Sequence, residues 1–233
     1  MNLLKFKTIN ELTEYGSESI LQAVREKPDL LLCTASGNST TEIYTTIGRK
    51  KRTVDRQKLR IIKLDEWGGI ELENPETCET YLRKYVITPW EIRDENYISF
   101  DSNPDDSQEE VNRIQAYLDQ NGPIDYCVLG LGLNGHIAFN EPSSFLQADC
   151  HITALSEASK NHPMFVNMDG KPSYGLTLGM ANILQSRKIL LVILGKNKQP
   201  VIDKFLTKEI TTSLPASFLW LHSNVDCLML ENC

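Results

Sequence analysis

Residues 189–194 read ILLVIL, six apolar side chains in succession. A strand with one face in water alternates apolar and polar positions, so a run without a polar position predicts a strand covered on both faces. Three further runs read as strands. Residues 30–35 (LLLCTA) close on Ser36-Gly37-Asn38-Ser39, residues 60–64 read RIIKL, and residues 128–133 (VLGLGL) are entered from Asp125. Between the runs lie helical spacings: Leu12, Ile20, Leu21 and Val24 before Lys27-Pro28, then Ile43, Tyr44 and Ile47, then Val111, Ile114 and Leu118, and last Val201, Ile202, Phe205 and Leu206. Covered strands alternating with helices predict a three-layer α/β/α fold with a mostly parallel, Rossmann-like sheet. Residues 102–107 (SNPDDS) read as a surface loop leading into a helix. No repeat, low-complexity tract or linker divides the chain, so residues 1–233 are read as a single domain.

The 233 residues, 41% of them hydrophobic, are enough to bury a core without metal or disulfide staples. Thirty-one acidic against 24 basic side chains leave a net charge of −7. That balance argues against a broad basic face for nucleic-acid backbones, though not against a small local anion site. No apolar run reaches the roughly 18 residues of a membrane span, and the first residues lack the apolar core of a signal peptide. The six cysteines form no CxxC pair, and several sit in apolar runs where Cys acts as a small hydrophobe. A cytoplasmic protein without nucleic-acid or membrane partners is expected.

In an open parallel sheet, ligands bind beyond the carboxyl ends of the strands. All four predicted strand ends carry polar residues. Ser36, Gly37, Asn38 and Ser39 open a helix, where N–H groups, hydroxyls and the helix dipole suit a phosphate; an ordinary Ser/Thr helix cap reads equally well. The loop is not a Walker loop, since no Gly-Lys-Ser/Thr follows, and Gly130 and Gly132 do not complete a dinucleotide fingerprint. Lys198, just past the strongest strand, could meet the same phosphate as a point charge. Asp65 ends the second strand beside Trp67, where burial would raise its pKa and suit a general base; a turn cap is the alternative. His136 sits in a Gly-flanked turn beside Asn134, and Glu141 five residues later could accept its Nδ1 proton. There is no GxSxG elbow, no HExxH and no His/Cys spacing for zinc. Proton shuttling on a sugar phosphate remains, with no cofactor and no metal required.

The segment 130–142, GLGLNGHIAFNEP, closely resembles the signature of glucosamine-6-phosphate deaminases. Leu64-Asp65-Glu66-Trp67 resembles their LDEY-type catalytic segment, and the Ser36 loop, residues 174–179 (YGLTLG) and residues 194–198 (LGKNK) follow in the same order. The C-terminal stretch SLPASFLWLH looks most like the galactosamine-6-phosphate isomerase, or deaminase, branch. The resemblance implies an amino-sugar 6-phosphate whose phosphate is held by Ser36, Gly37, Asn38, Ser39 and Lys198. It implies that His136, supported by Glu141 and Asn134, opens the pyranose ring. Asp65 would move a proton from C2 to C1, and water would release ammonia to leave fructose or tagatose 6-phosphate.

The sequence departs from that pattern in places. Asn134 stands where glucosamine-6-phosphate deaminases usually carry Asp; an Asn can hold the imidazole by a hydrogen bond but adds no charge. Asn38 replaces a common second Gly. The family's active-site Arg has no clear match, with His162 near its position as a phosphate contact and Lys160 as a nearby substitute. His151 and Thr153 occupy places where many bacterial members bind an allosteric sugar phosphate, which leaves homo-oligomerisation open. Two other readings compete: a 6-phosphogluconolactonase-type hydrolase, opposed by the Asn140-Glu141-Pro142 form of the motif, and a non-catalytic sugar-phosphate sensor, which would have no use for Asp65, His136 and Glu141 together.

Overall fold

The computed structural model describes residues 1–50, 54–155, 171–195 and 197–231. The covered strands form a seven-stranded sheet. Its members in chain order are β1 (Asn2–Phe6), β2 (Leu31–Thr34), β3 (Arg60–Lys63), β5 (Tyr97–Ile98), β6 (Tyr126–Gly130), β9 (Lys188–Ile193) and β10 (Val225–Leu230), arranged β1-β10-β9-β6-β2-β3-β5. Every pairing within it is parallel. The mostly parallel, helix-covered sheet expected from the sequence is present.

Alternation along each strand assigns side chains to two cores. Leu31, Cys33, Cys127, Leu129, Leu191 and Ile193 face α4 (Ser107–Asn121) and α6 (Gln199–Leu206). Leu32, Ile61, Val128, Leu190, Val192 and Leu228 face α1 (Ile9–Glu26) and α2 (Asn38–Arg49). Both sides of the sheet are therefore dry, which is why its central strands tolerate no regular polar position. Helix starts are locally encoded. Thr8 and Glu11 form a reciprocal capping box on α1, and the Asp106 carboxylate accepts the N–H groups of Gln108 and Glu109 at the start of α4.

A second sheet lay outside the sequence expectation. It is antiparallel and three-stranded, with order β4 (Asp65–Gly68), β8 (Tyr174–Thr177), β7 (His151–Thr153). Its strands are too short to show a period of their own. A short helix α5 (Met180–Leu184) leads from β8 toward β9. Only Leu64 separates β3 from β4, so Asp65 stands at the corner where the chain leaves the parallel sheet.

The strand order reverses between β2 and β6: the chain runs outward through β3 and β5 on one side, and through β9 and β10 on the other. A crevice at such a reversal is where ligands bind in this architecture. The four strands whose ends carry polar chemistry, β9, β6, β2 and β3, are consecutive across it.

Candidate active site at the switch point

The end of β2 leads directly into α2 through Gly37, which adopts φ +118° and caps the helix without a side chain. A backbone in that region is open to Gly at little cost and strains any other residue. The Thr40 N–H donates back to the Gly37 carbonyl at 3.2 Å, and among the described residues no side chain takes up the Asn38 and Ser39 N–H groups, which makes those two the candidate anion donors. The hydroxyls expected to share this task are engaged in bracing the loop. Ser36 Oγ donates to Cys78 Sγ at 3.0 Å, and Ser39 Oγ donates to the Leu194 carbonyl at 3.1 Å. The second bond joins the α2 start to the loop after β9. From that loop half-buried Lys198 donates its Nζ to the Leu131 carbonyl, 2.7 Å away at the end of β6. The α2 start is thus tied to the loop after β9, and Lys198 from that loop to the end of β6. His162 and Lys160 lie outside the described residues.

Asp65 is 9% exposed. Burial, reinforced by the negative charge of adjacent Glu66, raises its pKa from 3.8 to about 7, while His136 and Lys63 oppose the rise. A carboxylate poised there can both accept and return a proton near neutral pH. Trp67 lies two positions along β4 and packs against Phe139, ring centroids 4.4 Å apart and planes tilted by 52°, in a small apolar cluster that includes Cys78.

The turn after β6 places the remaining groups. Gly135 has φ +88°, and the Gly132 N–H donates to the His136 carbonyl at 3.1 Å, closing a tight loop. A Cβ on Gly132 would lie 2.3 Å from the His136 ring, so only glycine admits the imidazole at this point. His136 Nδ1 is 3.5 Å from Glu141 Oε2, ion-pair distance, and closes no hydrogen bond among the described residues. The side chains are 26% and 11% exposed, so the imidazole reaches the crevice and the carboxylate sits behind it.

Asn134 acts differently from the sequence expectation. It does not bond the imidazole. Its Nδ2 donates to Glu141 Oε2 at 2.7 Å, and its Oδ1 accepts the His136 backbone N–H at 3.1 Å. The short side chain turns back on its own loop, as Asn does in turns, and positions the carboxylate instead of the ring. Asn140 anchors the same loop by donating to the Ile137 and Leu178 carbonyls.

Two contributors were not anticipated. Cys78 and Tyr81, both on α3 (Cys78–Leu82), reach the site, with Cys78 Sγ 4.0 Å from Asp65 Oδ1 and the Tyr81 hydroxyl donating to the Gly37 carbonyl at 2.9 Å. Thr77 caps this helix in the sequence, but nothing local indicates which loop the helix touches.

A family model described as glucosamine-6-phosphate isomerases/6-phosphogluconolactonase matches residues 5–228. A candidate deaminase of Escherichia coli (strain K12), AgaI, is 38% identical over 229 residues, covering 97% of this chain and 91% of the relative. Glucosamine-6-phosphate deaminase 1 of Bacillus subtilis (strain 168) is 31% identical over 233 residues, covering 98% and 96%. The solved structure of a monomeric glucosamine-6-phosphate deaminase superposes with a TM-score of 0.94 at 30% identity, covering 99% of this chain and 98% of that one. Solved 6-phosphogluconolactonases are more distant and share the fold alone.

Proposed function

Because this chain belongs to the glucosamine-6-phosphate isomerase/6-phosphogluconolactonase family, we propose that its crevice isomerises and deaminates an amino-sugar 6-phosphate. The chain is an enzyme, an amino-sugar-phosphate isomerase/deaminase. The observation that carries the reading is the placement, at the ends of four consecutive strands, of a buried acid near neutral pKa, an acid-backed histidine, and a helix start without a side-chain cap that is hydrogen-bonded to the loop leading to Lys198.

The phosphate sits on the first-turn N–H groups of α2 with the Lys198 ammonium beside it. The sugar then extends toward β3 and β6. His136 takes the proton of the C1 hydroxyl and passes a proton to the ring oxygen as the C1–O5 bond breaks, opening the pyranose; Glu141 stabilises the imidazolium formed in between. Asp65 removes the C2 proton to give an enolamine and returns a proton to C1, which leaves an iminium at C2. Water adds at C2, ammonia leaves, and the product is a 2-ketose 6-phosphate. Each such acid–base contribution is worth about 10²–10⁴-fold. A cytoplasmic setting accords with a phosphorylated substrate, and no helix among the described residues is long and apolar enough to cross a membrane.

Incubation with the amino-sugar phosphate in deuterium oxide tests the central step. The wild type should incorporate deuterium from solvent at the ketose C1, and Asp65→Asn should lose this exchange while still binding substrate. Exchange retained in Asp65→Asn would remove Asp65 from the role of base.

A further inference from the structure

Glu66 takes no part in the chemistry above, yet its carboxylate is 0% exposed and accepts four hydrogen bonds. We propose that Glu66 is a positioning residue for the reaction, holding from inside the protein the short helix that braces both Asp65 and the phosphate loop. The assignment rests on the function proposed above.

The chain of contacts is continuous. Glu66 Oε1 accepts the N–H groups of Trp67 at 2.8 Å and Cys78 at 2.9 Å. Its Oε2 accepts the Glu79 N–H at 2.8 Å and the Lys63 ammonium at 2.7 Å. Two of these donors are orphan N–H groups at the start of α3, so the carboxylate fixes that end of the helix. From α3, Cys78 touches Asp65 and accepts from Ser36, while Tyr81 donates to Gly37 and lies 2.9 Å from Thr41 Oγ1. One buried side chain therefore sets where the base and the anion site stand relative to each other.

The surrounding charges are balanced. Lys63 also pairs with Glu79 at 3.0 Å, and Glu79 accepts from the Tyr97 hydroxyl at 2.8 Å and from Arg83 at 2.7 Å. Burial alone would lower the Lys63 pKa, but Glu66 and Glu79 push it above its usual value. A buried pair of this kind is weak evidence for stability, since its desolvation offsets much of its attraction. Its placement against the reacting groups is what points to function. Facing Asp65 are Glu66 on β4, Lys63 on β3, His136 after β6, and the thiols of Cys78 on α3 and Cys33 on β2. Of these, Glu66 favours the protonated acid, so neutralising Glu66 lowers the Asp65 pKa.

Kinetics of Glu66→Gln across pH 5–9, with galactosamine 6-phosphate and glucosamine 6-phosphate as probes, test the assignment. The variant should show kcat lowered by roughly 10- to 100-fold, a raised KM, and an acid limb moved to lower pH. A variant with wild-type KM and an unmoved acid limb, altered only in thermal stability, overturns the assignment. Tyr81→Phe supplies a second reading should Glu66→Gln fail to fold. Loss of its bond to Gly37 should raise KM several-fold, and an unchanged KM overturns the brace. A wild type inactive on both sugars overturns the proposed function itself, so the two failures are distinct.

Discussion

Asp65 carries the most consequential tension in the molecule. Its folded pKa of about 7, set first by burial and then by Glu66, lies above the ordinary 3.8. A group raised in this way favours the folded state below its unfolded pKa and loses that contribution as pH rises through the folded value. The wild type should therefore lose stability between about pH 4 and pH 7, the range in which its base becomes ionised and active. Asp65→Asn, neutral throughout, should match the wild type near pH 4. At pH 8 it should exceed the wild type by on the order of 2–4 kcal/mol in denaturant unfolding. The wild-type kcat/KM should fall as pH drops below about 7. An acid limb near the usual carboxylate range would show that burial does not tune this residue. Asn134 offers a second handle at the same scale. In Asn134→Asp a carboxylate would face Glu141 across 2.7 Å and add negative charge beside His136. Loss of the Asn134–Glu141 hydrogen bond together with like-charge repulsion should loosen the Glu141 carboxylate, which steady-state kinetics of the variant would read as a lowered kcat.

At the scale of elements, the site depends on turns that only certain residues permit. Gly37 meets no atom within 4 Å of an added Cβ, so Gly37→Ala suffers from backbone strain and not from a clash. A strain of about 1–3 kcal/mol should weaken the phosphate site, raising KM by roughly 10-fold with little change in kcat. Gly132→Ala is the opposite case: its Cβ would collide with the His136 ring, so ring opening should fail while phosphate binding persists. Isotope exchange with an open-chain substrate analogue would separate the two effects. These turns were legible in the sequence, because Gly and Asn after apolar runs announce strand ends. The role of Asn134 was not, because which partner a side chain selects within a turn depends on the path of the loop. The bracing by Cys78 and Tyr81 was hidden for a similar reason. Residues 42 and 44 positions from Ser36 and Gly37 meet them only once α3 is packed.

Across the whole molecule, the covered strands announced a parallel sheet, and residues 30–35, 60–64, 128–133 and 188–194 overlap β2, β3, β6 and β9. The edge strands escaped the reading, and so did the buried interior strand β10. β1 is largely exposed and β5 has two residues, so neither bears a buried run. The small antiparallel sheet has strands of three and four residues, below the length at which a period can be recognised. Net charge has limited meaning at this scale. A chain of −7 can still offer the few N–H groups and the one cation that the proposed single phosphate needs, though not a basic face for a nucleic-acid backbone. The most direct measurement is product stoichiometry. Purified protein incubated separately with galactosamine 6-phosphate and glucosamine 6-phosphate should release ammonia and ketose 6-phosphate in equal amounts from at least one of them. No turnover of either sugar, together with hydrolysis of 6-phosphogluconolactone, would contradict the account.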